Sequence, residues 1–301
     1  MTATQRKHSA PAQLRQRLTQ WGFHWLLRWK RHPISALMRL ISTLCMALTL
    51  FALLAVVVDI LIKGIPNLTP ELFSLEYTST NQSLLPSLVN TFIITALALF
   101  IAVPLGIGGA VYLSEYSQRE SFLVKSVRLT AETLAGIPSI IYGLFGMMFF
   151  VVTLKLGLSL LSGALTLSLM ILPLILRTTE EALLSVPDGY REGSYGLGAG
   201  KLRTVWRIVL PPAAPGILAG VVLAIGRIVG ETAAMLFTAG TVAQLPKGLL
   251  SSGRSLAVHM YVLSGEGLHI GSAYATATIL LLFVTAMNGL SALISRKIVK
   301  E

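Results

Sequence analysis

The chain has little charge and a single cysteine. Of its 301 residues, 12% are charged and 54% are hydrophobic, and the mean hydropathy is +0.74. A soluble domain carries about twice that share of charge, so the composition excludes one. Cys45 has no second cysteine with which to form an intramolecular disulfide. The five histidines show neither ligand spacing nor a neighbouring acidic cluster, so we expect no metal site and no cofactor.

A nucleotide-binding motif is also lacking, although one stretch comes close to a P-loop. That motif needs G-x4-G-K-[ST], in which glycine amides surround the phosphates and a hydroxyl contacts Mg²⁺. Before Gly200-Lys201, Tyr195 stands where the first glycine belongs, and Leu202 follows where Ser or Thr belongs. The chain is therefore not expected to have its own ATPase site, and it is not expected to be an enzyme. If its work is driven by ATP, the motor is another polypeptide.

Residues 1–33 contain no acidic residue but seven Lys or Arg. Large apolar residues recur there at helical spacing: Leu14, Leu18, Trp21, Trp25 and Trp29. This pattern indicates an amphipathic helix in the lipid headgroup layer, although residues 1–12 fit a flexible basic tail equally well. A signal peptide is disfavoured, because the apolar run from Ile34 is too long for one. We ascribe the net charge of +11 mostly to membrane topology, so it is no evidence for nucleic-acid binding.

Long apolar runs predict an all-α, polytopic membrane protein, because a helix needs about 20 residues to cross the hydrocarbon core. Six spans are predicted: 34–61, 85–113, 129–154, 157–176, 213–239 and 272–294. Of the 24 Lys and Arg residues, only four fall opposite the N-terminus: Lys63, Lys155, Lys247 and Arg254. Lys and Arg are enriched on the cytoplasmic side, so both termini are predicted to be cytoplasmic.

A polar loop between the fourth and fifth spans carries a spaced pattern, E-G-S-x3-G-x9-I-x-L-P. Its defined positions are Glu192, Gly193, Ser194, Gly198, Ile208, Leu210 and Pro211. This spacing resembles the EAA loop in the membrane subunits of binding-protein-dependent ABC importers, which docks on a separate ATPase. Gly193-Ser194 stands where that loop has Ala-Ala, and both residues remain small.

The same loop, at about 179–212, contains the parts of a helix, a turn and a second helix. Ser185, with Pro187 and Asp188 after it, suits a helix start, and Gly196, Gly198 and Gly200 can supply the positive φ of a sharp turn. One apolar face is expected on the second helix, formed by Leu202, Val205, Trp206 and Val209. Pro211-Pro212 is expected to separate this helix from the fifth span. The alternative is a solvated helix that only connects two spans.

Two charged residues fall inside the predicted fifth span. Arg227 lies near its midpoint, with Glu231 one helical turn further on. An ionised residue at that depth costs on the order of 3 kcal/mol, so such groups normally face a cavity or a partner. One interpretation is a structural ion pair between them. The other is that Arg227 contacts an anionic substrate while Glu231 orients it.

Charges and prolines in the other spans have simpler interpretations. We expect cytoplasmic ion pairs, rather than substrate sites, from Glu132, Arg177, Glu180 and Glu181. Kinks are expected at Pro104, Pro138 and Pro173. Close helix packing is expected at two small-residue pairs, Gly216 with Gly220 and Gly226 with Gly230.

Residues 226–233 read G-R-I-V-G-E-T-A and resemble the A-R-x-x-G-E-T-A segment of phosphate ABC transporter permeases. Gly226 replaces the first alanine and leaves Arg227, Glu231 and Thr232 in place. Further similar segments are 112–116, 137–145 and 175–180. Within this family the chain is closer to the PstA-type subunit than to its PstC-type partner. The resemblance implies a substrate pathway that includes Arg227, Glu231 and Thr232.

The resemblance further implies a type I ABC importer permease fold over 34–301, preceded by the basic segment 1–33. The implied partners are a PstC-type second permease, a cytoplasmic ATPase dimer and an extracytoplasmic phosphate-binding protein. A permease for another oxyanion, sulfate or molybdate, remains an alternative. A secondary transporter has no reason for the EAA-type spacing. An intramembrane enzyme would want a paired nucleophile and base or a metal cluster, and neither is visible in the spans.

Overall fold

The computed structural model describes residues 33–118 and 121–300, so the predicted amphipathic helix at the N-terminus lies outside the described residues. The helices are α1, Pro33–Gly64; α2, Leu85–Tyr116; α3, Phe122–Ala135; α4, Ser139–Thr153; α5, Leu160–Leu184; α6, Asp188–Gly196; α7, Lys201–Val229; α8, Ala233–Thr238; α9, Leu256–Glu266; and α10, Ile270–Lys300. Two 3₁₀ turns, Ile65–Asn67 and Pro70–Phe73, precede α2. Over these two ranges the chain contains no β-strand, which confirms the all-α prediction.

Two compact units meet inside α1, with the boundary between Asp59 and Ile60. In the first unit, the described part is the single helix over residues 33–59. The second unit holds the remaining helices and the packed core described below. The candidate site residues all belong to this second unit.

Five helices are long and apolar enough to cross a membrane, and a sixth span results if the bent pair α3 and α4 counts as one. This agrees with the six predicted spans. The third span is not the continuous helix predicted over 129–154, because α3 and α4 are bent by 100° at Gly136 to Pro138. Pro138 cannot donate a backbone hydrogen bond and disfavours helical geometry in the residue before it, so the helix stops there.

The fifth span differs from its prediction at both ends. The helix starts at Lys201 and runs without a break through Pro211-Pro212, so these prolines do not separate a loop helix from the span. A π-helical stretch, Val205–Val209, comes directly before the α-helical part in which the prolines occupy the first turn, where a missing N–H is tolerated. The span then ends at Val229 rather than at 239, and α8 begins only at Ala233.

The core of the second unit forms where α2, α5 and α7 pack together. Its largest cluster includes Ala98, Leu167, Ile171, Ala224 and Ile228, each at most 3% exposed. At Gly220 the backbone of α7 approaches Thr178 so closely that an added Cβ would collide with the Thr178 hydroxyl. Tight packing was predicted for this glycine and is confirmed. It was also predicted for Gly226, where a Cβ would meet nothing within 4 Å, so that prediction is wrong.

Candidate functional site

The polar loop folds as a helical hairpin formed by α6 and the first turns of α7, which we call the coupling hairpin. Helix α6 begins at Asp188 directly after Pro187, with an acidic residue in its first turn. The predicted start with Ser185 as the capping residue is wrong, because Ser185 is the C-cap of α5 and its hydroxyl donates to the Ala182 carbonyl at 2.7 Å. The turn between the helices has Gly198 at φ +80°, a conformation that side-chain-bearing residues rarely adopt. Ser194 and Thr204 are joined by a 2.8 Å hydrogen bond between their hydroxyls. Ser194 therefore holds the two helices together and is itself buried.

The predicted docking residues divide between the surface and the interior. Four of them are exposed: Glu192, Gly193, Gly198 and Pro211. Ile208 and Leu210 are half-buried. The single apolar face predicted for the second helix is wrong. Val205 and Val209 pack into the interior, whereas Leu202 and Trp206 face outward. Together with Leu197, which is 91% exposed, they give the hairpin an apolar outer surface.

Arg191, which the sequence analysis passed over, ties the coupling hairpin to the rest of the bundle. Its Nη2 lies 2.6 Å from Glu115 Oε1, and its Nε donates to both oxygens of that carboxylate at 3.1 and 3.2 Å. It also donates to the carbonyls of Leu183 and Val186 and to Asp188. The hydrogen bonds that Arg191 donates to Glu115 raise the pKa of Arg191 above its ordinary value. A buried guanidinium with its donors paired in this way links α6 firmly to the ends of α2 and α5.

The charged residues of α3 and α5 form the cytoplasmic-type ion pairs that the sequence predicted. Arg177 contacts Glu181 at 3.0 Å and Glu132 at 3.7 Å. Arg128 contacts Glu180 at 2.6 Å. These groups line a cavity of about 220 Å³ at the same end of the bundle as the coupling hairpin. Because their charges already have partners, they are poor candidates for holding a substrate anion.

Arg227 and Glu231 lie on either side of a break in the helical chain rather than on one continuous helix. Arg227 is in the last turn of α7, and Glu231 and Thr232 lie in the connection to α8. Glu231 Oε1 accepts a hydrogen bond from the Ala234 amide at 3.1 Å, which caps the start of α8. The two charges form no ion pair with each other, so the interpretation as a structural pair does not hold here. All three predicted residues are half-buried.

The surroundings of Arg227 suit an anion. Its neighbour Ile228 packs with Ile94, Leu167 and Met235, so α7 ends inside the bundle rather than at its surface. Non-helical backbone at such a depth is tolerated only where protein covers it or where it lines a water-filled path. Within the described residues, Arg227 makes no hydrogen bond or ion pair, and its charge acts on the phenol of Tyr142 in α4.

Tyr142 belongs to a largely apolar cavity of about 340 Å³. The break between α3 and α4 supplies part of its wall through Leu134 and Ile137, and α5 supplies Pro173. The Tyr142 hydroxyl donates to the Leu134 carbonyl at 2.9 Å, which bridges the two halves of the bent pair. Across the described residues, no group of three or more His, Cys, Asp or Glu is placed to hold a metal ion.

The sequence matches known membrane transport proteins over most of its length. Residues 102–300 match the family described as "Binding-protein-dependent transport system inner membrane component". The chain is 33% identical to the probable ABC transporter permease protein YqgI of Bacillus subtilis, over 75% of this chain and 81% of that protein. It is 32% identical to the phosphate transport system permease protein PstA of Haemophilus influenzae, over 88% of this chain and 93% of that protein. The match to PstA 1 of Mycobacterium tuberculosis, at 44% identity, spans half of that protein.

Solved structures share the fold at low identity. The MetNI methionine ABC transporter in an inward-facing conformation aligns with a TM-score of 0.57 at 23% identity, covering 71% of this chain and 93% of that chain. A bacterial ABC transporter that imports the acidic polysaccharide alginate aligns with a TM-score of 0.61 at 15% identity, over 90% of this chain and 98% of that chain. These likenesses confirm the predicted ABC importer permease fold.

Proposed function

The chain belongs to the family of binding-protein-dependent transport system inner membrane components, and we propose that it is the PstA-type permease subunit of an ATP-driven importer of inorganic phosphate. The name of the Haemophilus influenzae relative supports phosphate as the cargo. The proposal depends most on Arg227, a half-buried cation without an ion-pair partner among the described residues. It lies in the last turn of α7, where the fifth span is broken. Transport of an uncharged or cationic cargo would not require a half-buried arginine without an ion-pair partner.

Arg227 suits transient binding of phosphate. Its guanidinium is planar and permanently charged, and it can hold two phosphate oxygens at once. Glu231 does not neutralise it, because that carboxylate caps α8 instead. Glu231 nevertheless places a negative charge four residues away in sequence, and this charge weakens the hold on an anion. We propose that the balance lets phosphate bind and leave, with Thr232 as a further polar contact on the path.

The coupling hairpin is the part that we propose docks on the ATPase. Family membership implies that the chain works with a partner permease and an ATPase. We propose that these are a PstC-type permease and an ATPase dimer, and that an extracytoplasmic phosphate-binding protein delivers the cargo. Nucleotide-driven closure of the ATPase would move the hairpin. Arg191 would then carry that movement to α2 through Glu115. We propose, from the distribution of Lys and Arg, that the hairpin and both termini lie in the cytoplasm.

Phosphate uptake by cells that express the whole transporter tests the role of Arg227. We expect Arg227→Gln to abolish uptake while the complex still assembles, since the fork for the anion is lost. Arg227→Lys keeps the charge without the fork and should retain only a small part of the uptake. Lys247→Gln removes an exposed charge elsewhere and serves as the matched control. Near-normal uptake by Arg227→Gln would reject the proposed contact.

The same uptake assay decides between phosphate and other oxyanions. Unlabelled sulfate or molybdate in excess should leave the uptake of labelled phosphate unchanged, whereas unlabelled phosphate should compete with it. Competition by sulfate or molybdate at equal concentration would assign the chain to another oxyanion. Uptake that persists without ATP and without the ATPase subunit would instead favour a secondary transporter.

Pull-down of the ATPase by the purified permease tests the docking surface. Leu197→Asp places a charge on the exposed tip of the coupling hairpin, so we expect weaker ATPase association. Leu268→Asp is the matched control, because Leu268 is 81% exposed but lies in the connection between α9 and α10. Equal ATPase recovery with both variants would show that the hairpin is not the docking element.

A further inference from the structure

Arg254 is a buried cation that has no role in the proposed function. It lies between α8 and α9 and is only 3% exposed. Its Nε and Nη2 atoms have no hydrogen-bond partner among the described residues, and no carboxylate there lies within 4.0 Å of it. A guanidinium without a counter-charge costs several kcal/mol to bury in general, so such a group is expected to serve a purpose.

The two unpartnered nitrogens lie on one edge of the guanidinium. Nε–H and an Nη2–H point in parallel, and this is the fork that grips two oxygens of a carboxylate or phosphate. The same two nitrogens of Arg191 grip Glu115 in this structure. Arginine typically holds oxyanions with this fork, and in Arg254 this fork is the part without a protein partner among the described residues.

Other buried polar atoms without a protein partner lie close to Arg254 in the fold. Asn90 donates through Nδ2 to the Arg254 carbonyl at 3.3 Å, while its Oδ1 has no donor among the described residues. Ser87, one helical turn before it in α2, has an unpartnered hydroxyl. His259, in the first turn of α9, is fully buried, and no side chain among the described residues forms a hydrogen bond with its ring nitrogens, although the backbone of Gln82 interacts with the ring. Monohydrogen phosphate has oxygens that can accept hydrogen bonds from Arg254 and from the Ser87 hydroxyl, and it has a P–OH group that can donate to Asn90 Oδ1.

A short loop covers this group from one side. Tyr77 lies over the Arg254 guanidinium, with 4.6 Å between Cζ and the ring centroid, and meets the His259 ring edge-on at 6.1 Å. The loop is held by a 2.7 Å hydrogen bond from the Tyr77 hydroxyl to Gln82, a residue with φ +46°. Since Arg254 is only 3% exposed, an anion reaches the fork only when a covering group moves, and we propose that the loop of Tyr77 is that group.

The group lies at the end of the bundle away from the coupling hairpin. The Leu160 amide, at the start of α5, bonds to the Ser251 carbonyl, whereas Arg191 bonds to Leu183 at the other end of that helix. Ser255, next to Arg254, and Ile228, next to Arg227, line one small cavity together with Thr91 and Thr95. Arg254 would thus be a buried cation towards the extracytoplasmic side, and Arg227 would lie deeper in the bundle.

We infer that Arg254, with Asn90 and His259 beside it, forms a second binding site for a tetrahedral oxyanion, inorganic phosphate, at the extracytoplasmic end of the permease. The inference rests on the proposed function for the identity of the anion. The chemistry of the fork itself requires only an oxyanion. Tyr77 and the loop from 77 to 82 act as the cover of the site.

Equilibrium binding of radiolabelled phosphate to the purified, assembled transporter tests the site, without the binding protein and in an Arg227→Gln background. We expect Arg254→Gln to weaken phosphate binding roughly 10- to 100-fold, since a charge-assisted fork is lost. Lys247→Gln, which removes an exposed charge of the same connection, should bind as the parent does. Unchanged binding by Arg254→Gln would overturn the inference. Displacement of phosphate by chloride as effective as that by sulfate would overturn the oxyanion assignment.

Two further arms keep the result interpretable. If Arg254→Gln does not assemble, Arg254→Lys decides, because it keeps the charge without the fork: weaker binding supports the site and unchanged binding rejects it. Cellular uptake separates this inference from the proposed function. Uptake is therefore measured with wild-type Arg227. Phosphate binding that depends on Arg254, together with no phosphate uptake by this transporter, would reject the function and keep the site. Normal uptake with binding indifferent to Arg254 would reject the site and keep the function.

Discussion

Two buried arginines at opposite ends of α5 show how differently one side chain can be used. Arg191, at the coupling end, presents Nε and Nη2 to Glu115 and donates to two backbone carbonyls as well. Arg254, at the other end, has no protein partner for the same two atoms among the described residues and stacks on Tyr77 instead. Both residues are more than nine-tenths buried. Burial alone therefore does not reveal the role of a charge; the role follows from what the charge contacts.

The difference also separates two parts of a transporter. A link that must carry force needs all of its hydrogen bonds in every state, because a half-satisfied buried network is weak. A site that must take up and release an anion needs donors that the protein does not satisfy. Arg191 meets the first description and Arg254 the second. Arg227 lies between them, half-buried and at the end of a broken helix.

The largest expected effect comes from breaking the Arg191 link. Arg191→Met leaves the Glu115 carboxylate buried without its partner, so we expect a loss of about 3–5 kcal/mol in the free energy of unfolding. The loss is measured as a lower melting temperature of the purified permease in detergent. Arg203→Met, at an exposed position of the same hairpin, is the control and should melt as the wild type does. A normal melting temperature for Arg191→Met would remove the contrast between the two arginines.

A smaller effect is expected on lowering the pH, through His259 beside Arg254. Burial, together with the positive charge of Arg254, lowers the pKa of His259 from 6.5 to about 3. The unfolded chain, with a pKa near 6.5, takes up a proton that the folded chain refuses, so stability falls as the pH falls below 6.5. Between pH 7 and pH 5 the loss is about 2 kcal/mol. His259→Gln should melt with a flatter pH dependence than the wild type; equal slopes would contradict this.

A still smaller effect is expected from Arg254→Met in phosphate-free buffer. The substitution removes a buried charge without leaving a counter-charge behind, and it loses the contact with Tyr77. These opposing changes should keep the free energy of unfolding within about 1 kcal/mol of the wild type. Melting temperatures of Arg254→Met and Arg191→Met, measured side by side, test the comparison directly. A loss as large as that for Arg191→Met would mean that Arg254 is a structural link too.

The smallest effect is expected at Arg177, whose Nε contacts Glu181 at 3.0 Å in a solvent-exposed pair. Water competes with exposed pairs and salt screens them, so their net contribution is small. Arg177→Gln should not change the melting temperature measurably, at low or at high salt. A clear shift at low salt would show that the ion pairs lining the neighbouring cavity act as a network.

Much of the architecture followed from local patterns. Apolar runs identified the spans, and the loop glycines located the turn of the coupling hairpin, which uses Gly198. The predicted start of α6 with Ser185 as its cap was wrong, because the helix begins at Asp188. The ion pairs around Arg177 followed from their i, i+4 spacing and their position at the end of a span. The break after Val229 did not follow, because residues 213–239 are apolar enough to read as one helix. The continuity of α7 through Pro211-Pro212 could not be predicted from local patterns either.

Long-range pairing was beyond the sequence patterns. Glu115 and Arg191 are 76 residues apart and belong to different elements, so no spacing rule connects them. In the sequence, Arg254 was notable only as one of the few basic residues on the side opposite the N-terminus. Its burial depends on Tyr77 and on the first turns of α2, both far away in the chain. Tyr77 itself carries no pattern that predicts a contact with a cation.

By itself the sequence determined that this chain is a helical membrane protein with a coupling hairpin and a charged segment around Arg227, because hydropathy, helical periodicity and turn chemistry are local properties. Only the tertiary structure decided which charges are satisfied. Whether a buried arginine has a carboxylate beside it depends on the packing of helices that are distant in sequence, and that packing gave Arg191 a partner in Glu115 and left the fork of Arg254 without one among the described residues.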